Sequence, residues 1–199
     1  DLREFDLSRR DLAGADFRGA KLKYASLNGA NLIGANLSGL DLVDLGLDAE
    51  GTYLSAANLS RTVLKGVNFD FTNMDHVDLS SADLRGSSFV GANLSGANLS
   101  RANIAGADLS QAFLYGAKLT NLELSTVNLV GARLHGVDMS GSNMTDVIFS
   151  ALKFDYKNQM EVADELHITN IDSISGVTSF FELDEDLFVT TKEGRVCLL

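Results

Sequence analysis

The sequence predicts an all-β fold, a solenoid in which the chain winds into a stack of four-sided coils. Three observations lead to this prediction: a large apolar residue recurs every five positions, a small apolar residue usually lies two positions before it, and the 199 residues include no proline. A period of five matches neither an α-helix, which repeats every 3.6 residues, nor a flat strand, which repeats every two. It matches a chain that turns a corner every five residues, closes a coil every twenty, and bonds each coil to the next like strands in a sheet.

The large apolar residues form two runs, one of ten positions from Leu2 to Leu47 and one of twenty-one positions from Leu54 to Phe154. No polar residue interrupts either run. Only one large and one small side chain fit inside each face of so narrow a coil, which explains the small residue two positions earlier, such as Ala92. A proline would remove a donor from the ladder between coils, so its absence agrees with an uninterrupted ladder.

The repeating unit reads A-[DN]-L-x-x, often with glycine in the last place, and the segment 91–110 reads GANLSGANLSRANIAGADLS. This segment is close to the ideal repeat of pentapeptide-repeat proteins, and the resemblance covers about three quarters of the chain. The resemblance implies a right-handed quadrilateral β-helix over residues 1–154, a winding that the period alone does not prove. Eight coils at the ~4.8 Å strand spacing make a rod roughly 35–40 Å long.

A coil of twenty residues predicts which side chains stack along the rod. Contacts between neighbouring coils stabilise such a solenoid, and both of its ends need caps. We expect one stack of Phe69, Phe89, Leu109, Leu129 and Phe149, and a neighbouring stack of Leu64, Leu84, Ile104, Leu124 and Met144.

The spacing breaks once, because seven residues separate Leu47 from Leu54 and two residues are therefore inserted. We expect a small outward bulge around Ala49–Tyr53, where Gly51 allows the bend. Loops that project from a scaffold often carry contacts, and the resemblance to gyrase-protecting members of the family implies the same. The alternative, a tolerated surface insertion, is favoured because two extra residues make a very short recognition element.

Residues 155–199 lack the five-residue period, and we predict that they form a C-terminal cap. A short helix over about residues 157–166, with Asp155 as its N-cap, would cover the strand edges of the last coil. The segment GVTSFFELDEDLFVTTKEGRVCLL then predicts three short strands with turns at LDED and KEG. It resembles the first strands of a WD-repeat propeller blade; the alternative is a β-hairpin that packs against the helix.

The sequence contains no catalytic constellation, and we predict no catalytic, cofactor-binding or metal-binding residue. The single Cys197 excludes an intramolecular disulfide and a cysteine-only zinc site. A filled solenoid offers no pocket for a carboxylate pair, so we predict that the chain is not an enzyme. The histidines match no metal motif such as H-E-x-x-H; they are His76, His135 and His167. The repeat explains the aspartates that precede an inward Leu or Met as short, water-facing side chains with local hydrogen bonds, among them Asp78, Asp83, Asp108 and Asp138.

The net charge of −11 suggests the DNA mimicry that some pentapeptide-repeat proteins use against topoisomerases, and the position of the charge tests this idea. Residues 1–154 carry 17 acidic and 13 basic residues, a net of −4, whereas residues 155–199 carry 10 and 3, a net of −7. A DNA duplex carries one negative charge per ~1.7 Å of its axis. The rod is therefore a poor electrostatic copy of DNA, and its charge gives no support to direct nucleic-acid binding either.

These observations favour a non-enzymatic protein-interaction scaffold, a module of a larger bacterial regulator or effector. The alternatives are a DNA-mimicking gyrase inhibitor or protection protein, and an accessory domain of an enzyme. The chain begins with Asp1 rather than Met, so we expect that it is a fragment of a longer protein. Removal of a leader peptide stays open as an alternative. We expect no membrane association, a location in the cytoplasm or, for an effector, in a host cell, and no cofactor. The oligomeric state stays open, an end-to-end dimer included, and specificity is expected at Ala49–Tyr53 or in the acidic tail.

Overall fold

A computed structural model describes residues 1–43, 52–144 and 147, together with the backbone of three strands between residues 177 and 198. The first two ranges wind into a right-handed quadrilateral β-helix, as predicted. Parallel bridges link residues twenty positions apart, such as Asp78 and Asn98. Across the insertion the bridges link residues twenty-two positions apart, such as Asn31 and Tyr53. The predicted coil length and the two-residue insertion are therefore both confirmed.

Each repeat combines one bridging residue, one inward residue and a tight turn. In the repeat around Leu94, Asn93 bridges to the coils on both sides, and the Leu94 carbonyl oxygen accepts a hydrogen bond of 3.0 Å from the Ala97 amide. Gly96 occupies the third place of this turn with a φ of 66°. A positive φ at this place is typical of a type II turn and favours glycine, which explains why glycine ends so many repeats.

The inward residues form four stacks, and we number the corresponding faces of the rod 1 to 4 in chain order. The side chains in the middle of each stack are buried, so the interior of the rod is filled by its own residues. Face 1 is built on Leu64, Leu84, Ile104 and Leu124, face 2 on Phe69, Phe89, Leu109 and Leu129, face 3 on Met74, Leu94, Leu114 and Leu134, and face 4 on Leu79, Leu99, Leu119 and Met139.

The two stacks predicted from the sequence are present on faces 1 and 2. Phe69 and Phe89 are fully buried, and their rings lie nearly parallel with centroids 5.0 Å apart. Leu109 and Leu129 continue this stack without exposed surface. Phe149, the last expected member, lies outside the described residues.

In a few repeats a buried serine occupies the place of the small apolar residue, and its hydroxyl group forms hydrogen bonds with a corner of the preceding coil. The Ser142 hydroxyl accepts a hydrogen bond of 2.9 Å from the Leu122 amide and donates one of 2.5 Å to the Leu119 carbonyl. The Ser87 hydroxyl donates a hydrogen bond of 2.7 Å to the Leu64 carbonyl, which also accepts one of 3.3 Å from the Val67 amide. The turn from Leu119 to Leu122 lacks the usual hydrogen bond between its first carbonyl and its last amide, and the Ser142 hydroxyl bridges these two groups instead. The turn from Leu64 to Val67 has this internal bond, and Ser87 adds a second one.

Replacing Ser142 with Ala should lower the free energy of unfolding by about 1–3 kcal/mol, because the buried Leu122 amide loses its acceptor. The Ser87→Ala variant is the matched control: it leaves a turn with its internal bond and introduces the usual residue of the repeat, so it should cost less than about 1 kcal/mol. Urea unfolding of both variants measures the difference. A loss for Ser87→Ala as large as that for Ser142→Ala would contradict this account of the turn.

The C-terminal segment contains the three predicted strands, β1 at Val177–Leu183, β2 at Asp186–Thr191 and β3 at Val196–Leu198. They form one antiparallel sheet in the order β1-β2-β3. This arrangement fits both the WD-like interpretation and the simpler hairpin. The predicted helix at 157–166 and the predicted boundary between 1–154 and 155–199 lie outside the described residues and stay predictions.

Candidate functional site

The outward residues of face 3 depart most clearly from the short polar side chains of the ideal repeat. Phe113 and Arg133 occupy bridging positions that mostly carry Asn or Asp elsewhere, and Phe113 bridges to both Asn93 and Arg133. Tyr115 lies two residues after Phe113, on the other side of the inward Leu114. The twenty-residue coil therefore brings two aromatic residues and an arginine together on neighbouring coils.

These three residues, which we call the aromatic–arginine cluster, contact one another directly. The rings of Phe113 and Tyr115 lie 6.3 Å apart at an angle of 46°. The guanidinium carbon of Arg133 lies 5.0 Å from the centroid of Phe113, and its Nη1 donates a hydrogen bond of 3.3 Å to the Tyr115 hydroxyl. Ring contacts and cation–π contacts of this kind hold the side chains in place. Aromatic residues and arginine are also the types that contribute most to protein interfaces.

The surface beside the cluster is open and partly apolar. Gly116 follows Tyr115, and a Cβ atom built on it would meet nothing within 4 Å. Phe71, with 78% of its surface exposed, lies over Gly91 at the corner between faces 2 and 3. Val130 on face 2 and Tyr53 on face 3 are also exposed apolar or aromatic residues. A partner that covers face 3 would therefore find apolar surface on both sides of Asn93.

Ser55, Asp75 and His76 are the described residues that most resemble a catalytic triad. The Ser55 hydroxyl donates a hydrogen bond of 2.5 Å to Asp75 Oδ1, and Asp75 Oδ2 lies 3.2 Å from Nδ1 of His76. This hydrogen bond from Ser55, followed by the contact with His76, lowers the pKa of Asp75. A nucleophilic serine must be hydrogen-bonded to the histidine rather than to the carboxylate, so these residues form a surface hydrogen-bond chain.

The recurring aspartates form local hydrogen bonds, as the repeat predicts. Asp78 and Asp138 each accept a hydrogen bond of 3.0 Å from the amide two residues ahead. Burial raises the pKa of Asp108, but hydrogen bonds from Ser110 and Asn128 outweigh it, so the pKa lies below its ordinary value. Asp83 differs from the others because it binds cations. Its hydrogen bond from Arg85 is the main reason why its pKa is lowered to about 2.

The described residues contain no group of three or more His, Cys, Asp or Glu side chains arranged to hold a metal ion. His76 and His135 are exposed, whereas His167 and the Ala49–Gly51 part of the insertion lie outside the described residues. No helix in the part of the chain that the structure describes is long and apolar enough to cross a bilayer. The aromatic–arginine cluster was not predicted, although the twenty-residue spacing from Phe113 to Arg133 contained the signal.

Comparison with known proteins agrees with the observed repeat. The family model described as pentapeptide repeats matches eight copies, at residues 1–44, 47–86, 78–114 and 114–146. A search of curated proteins finds no match.

Several solved structures are similar. HetL, a pentapeptide repeat protein involved in heterocyst differentiation regulation from the cyanobacterium Nostoc sp. strain PCC 7120, is 34% identical over 73% of this chain and 70% of its own, with a TM-score of 0.40. A pentapeptide repeat protein from the thylakoid lumen of Arabidopsis thaliana is 32% identical over 52% of this chain and 70% of its own, with a TM-score of 0.48. QnrB1, a plasmid-mediated fluoroquinolone resistance protein, is 18% identical over 71% of this chain and 70% of its own, with a TM-score of 0.48. Because the family model matches most of the rod, repeat by repeat, this chain belongs to the pentapeptide repeat family.

Proposed function

We propose that this chain is a non-enzymatic protein-interaction scaffold, a module of a larger bacterial regulator or effector that acts in the cytoplasm or in a host cell. The aromatic–arginine cluster is the observation that carries the proposal. The interior of the rod is filled by its own side chains, so recognition falls to the outer faces. On these faces the coil holds Phe113, Tyr115 and Arg133 at fixed positions, which reduces the entropy lost when a partner binds.

The contacts within the cluster indicate how it would bind a protein. Phe113 and Tyr115 are only half-buried, so their rings retain surface for a partner to cover. Arg133 is exposed, lies over the Phe113 ring and donates a hydrogen bond to the Tyr115 hydroxyl. An arginine held over an aromatic ring offers donors to carboxylates or carbonyl groups and a flat surface for apolar contacts. The expected partner is a folded protein surface that contributes an apolar residue beside an acceptor.

The test is affinity capture from cells that express the chain, followed by binding measurements with the purified partner. Phe113→Ala and Arg133→Ala should each weaken binding by about 30-fold or more, the loss typical of a residue at the centre of an interface. Lys118→Ala is the matched control, because Lys118 is an exposed cation on face 4 and should leave the affinity within about twofold. Thermal unfolding confirms that each variant is folded.

Equal affinity of Phe113→Ala, Arg133→Ala and the unaltered chain would show that face 3 is not the interface. Protection of gyrase from a fluoroquinolone in a supercoiling assay would instead support the DNA-mimic alternative. A hydrolytic or transferase activity that one surface substitution abolishes would contradict the non-enzymatic proposal.

A further inference from the structure

Two arginines bracket a serine on three successive coils at the corner between faces 4 and 1. The Arg61 amide donates a hydrogen bond of 2.9 Å to the Ser80 carbonyl, and the Ser81 amide donates one of 3.0 Å to the Ser100 carbonyl. Arg61, Ser81 and Arg101 therefore occupy the same place in consecutive coils. We call these three residues the arginine corner. All three are exposed.

The backbone of the arginine corner is strained. Arg61, Ser81 and Arg101 have φ values of 57°, 58° and 60°, in the left-handed region where most corners of this rod carry glycine. Asn121 on the next coil continues the pattern with a φ of 56°. No other corner in the described ranges has four consecutive coils with such residues. Strain of this kind persists where side chains are needed and is common at functional sites.

Positive charge exceeds negative charge around this corner. Lys65 and Arg85 lie nearby on face 1, and both bind Asp83, at 3.3 Å and 2.8 Å. Arg61 and Arg101 form no ion pair with any residue that the structure describes. Four cations thus lie beside two carboxylates, Asp83 on face 1 and Asp78 on face 4, and Asp83 engages the two cations that do not belong to the corner. The next carboxylates on face 1 lie beyond the cluster at its two ends, at Asp41 and Glu123.

The spacing of the two arginines suits a doubly charged anion. Adjacent coils lie ~4.8 Å apart, so the Cα atoms of Arg61 and Arg101 are about 10 Å apart, with Ser81 on the coil between them. Two guanidinium groups can each contribute a pair of hydrogen bonds to a phosphate, and phosphate has the charge and the acceptors to use both. We propose that Arg61, Ser81 and Arg101 form a binding site for a phosphate monoester on a phosphorylated partner protein.

The size of the cluster favours a single phosphate group on a protein over a nucleic acid or a membrane. Nucleic-acid binding requires a basic stripe that follows many phosphates, whereas these cations span only the coils from Arg61 to Arg101. An anionic membrane would repel a rod with a net charge of −4. A phosphoserine or phosphothreonine side chain needs only the local site. This inference is independent of the aromatic–arginine cluster, which lies on face 3.

The experiment is an NMR titration of the whole chain with N-acetyl-O-phosphoserine amide, observed at the arginine side-chain Nε–H signals. We expect the Arg61 and Arg101 signals to shift together along one binding curve, with inorganic phosphate as a competitor. Arg61→Gln and Arg101→Gln should each weaken binding by about tenfold, the loss of one charge-assisted pair. Arg9→Gln is the matched control, because Arg9 is another left-handed corner arginine, with a φ of 57°, and should leave the affinity unchanged.

Three outcomes would overturn the proposal. The first is no shift of the Arg61 and Arg101 signals at saturating phosphoserine amide. The second is an equal response of all arginines, or equal weakening by Arg9→Gln, because either result would indicate diffuse charge attraction. The third is binding to phosphatidylserine-containing vesicles that Arg61→Gln abolishes without any phosphoserine response, which would assign the corner to a membrane. The Arg133→Ala variant should bind phosphoserine amide normally, so failure of the proposed face 3 interface and failure of this site are distinguishable.

Discussion

Replacing Leu99 with Asp should lower the free energy of unfolding by more than about 4 kcal/mol, because it places an unpaired carboxyl group inside the rod. Leu99 has no exposed surface and lies between Leu79 and Leu119 in the face 4 stack. The small residues on either side of it, Ala97 and Ala102, are also buried and offer no hydrogen-bond donor from their side chains. A carboxyl group at this position would have neither water nor a partner.

The matched control is Ser100→Asp, one residue further along the chain. Ser100 is only half-buried, and its amide already bonds to the Asn98 side chain at 3.1 Å. The added carboxylate should therefore face water and change stability by less than about 0.5 kcal/mol. Denaturant and thermal unfolding of both variants measure the difference. Equal stability of Leu99→Asp and Ser100→Asp would contradict the inward position of the stack.

The interior of the rod could be predicted almost completely from the sequence, because only one large side chain fits each face of a coil. That restriction makes every inward position visible as an apolar residue, from Leu54 to Met144, and the twenty-residue coil then determines the neighbours. Phe69 and Phe89 were expected in one stack for this reason, and their rings do stack. The irregular segments lack this restriction, so the helix predicted at 157–166 depends on a much weaker signal.

The outer surface was harder to predict, because the repeat tolerates many residue types there. Phe113, Tyr115 and Arg133 each look like an ordinary departure from the repeat when they are considered singly. Their contact depends on the register between two coils and on the side-chain conformations, which the period does not determine. The arginine corner was missed for a second reason. Arg61 and Arg101 lie forty residues apart in the sequence, and the basic residues between them, Lys65 and Arg85, are too widely spaced to mark a charge cluster.

Replacing Phe89 with Ala should lower the free energy of unfolding by about 3–5 kcal/mol, because it removes a buried ring and leaves a cavity. Phe89 packs flat against Phe69 and has no exposed surface. Its backbone is held in place by a hydrogen bond of 2.7 Å from the Phe89 amide to the Asp108 carbonyl and one of 3.0 Å from the Ala92 amide to the Phe89 carbonyl. These bonds prevent the coil from closing around the smaller side chain.

The Phe89→Leu variant separates the effect of the cavity from the effect of the lost ring stacking. Leu109, the next residue of the same stack, shows that leucine fits this position in an identical backbone turn. Phe89→Leu should therefore cost less than half as much as Phe89→Ala, roughly 1–1.5 kcal/mol, and urea unfolding at an unchanged m-value measures both. If both variants lost the same stability, the stacked rings rather than the filled volume would hold this stack together. If neither lost stability, the coils would have to relax around the cavity, and the rigid backbone on which both proposed binding sites depend would be in error.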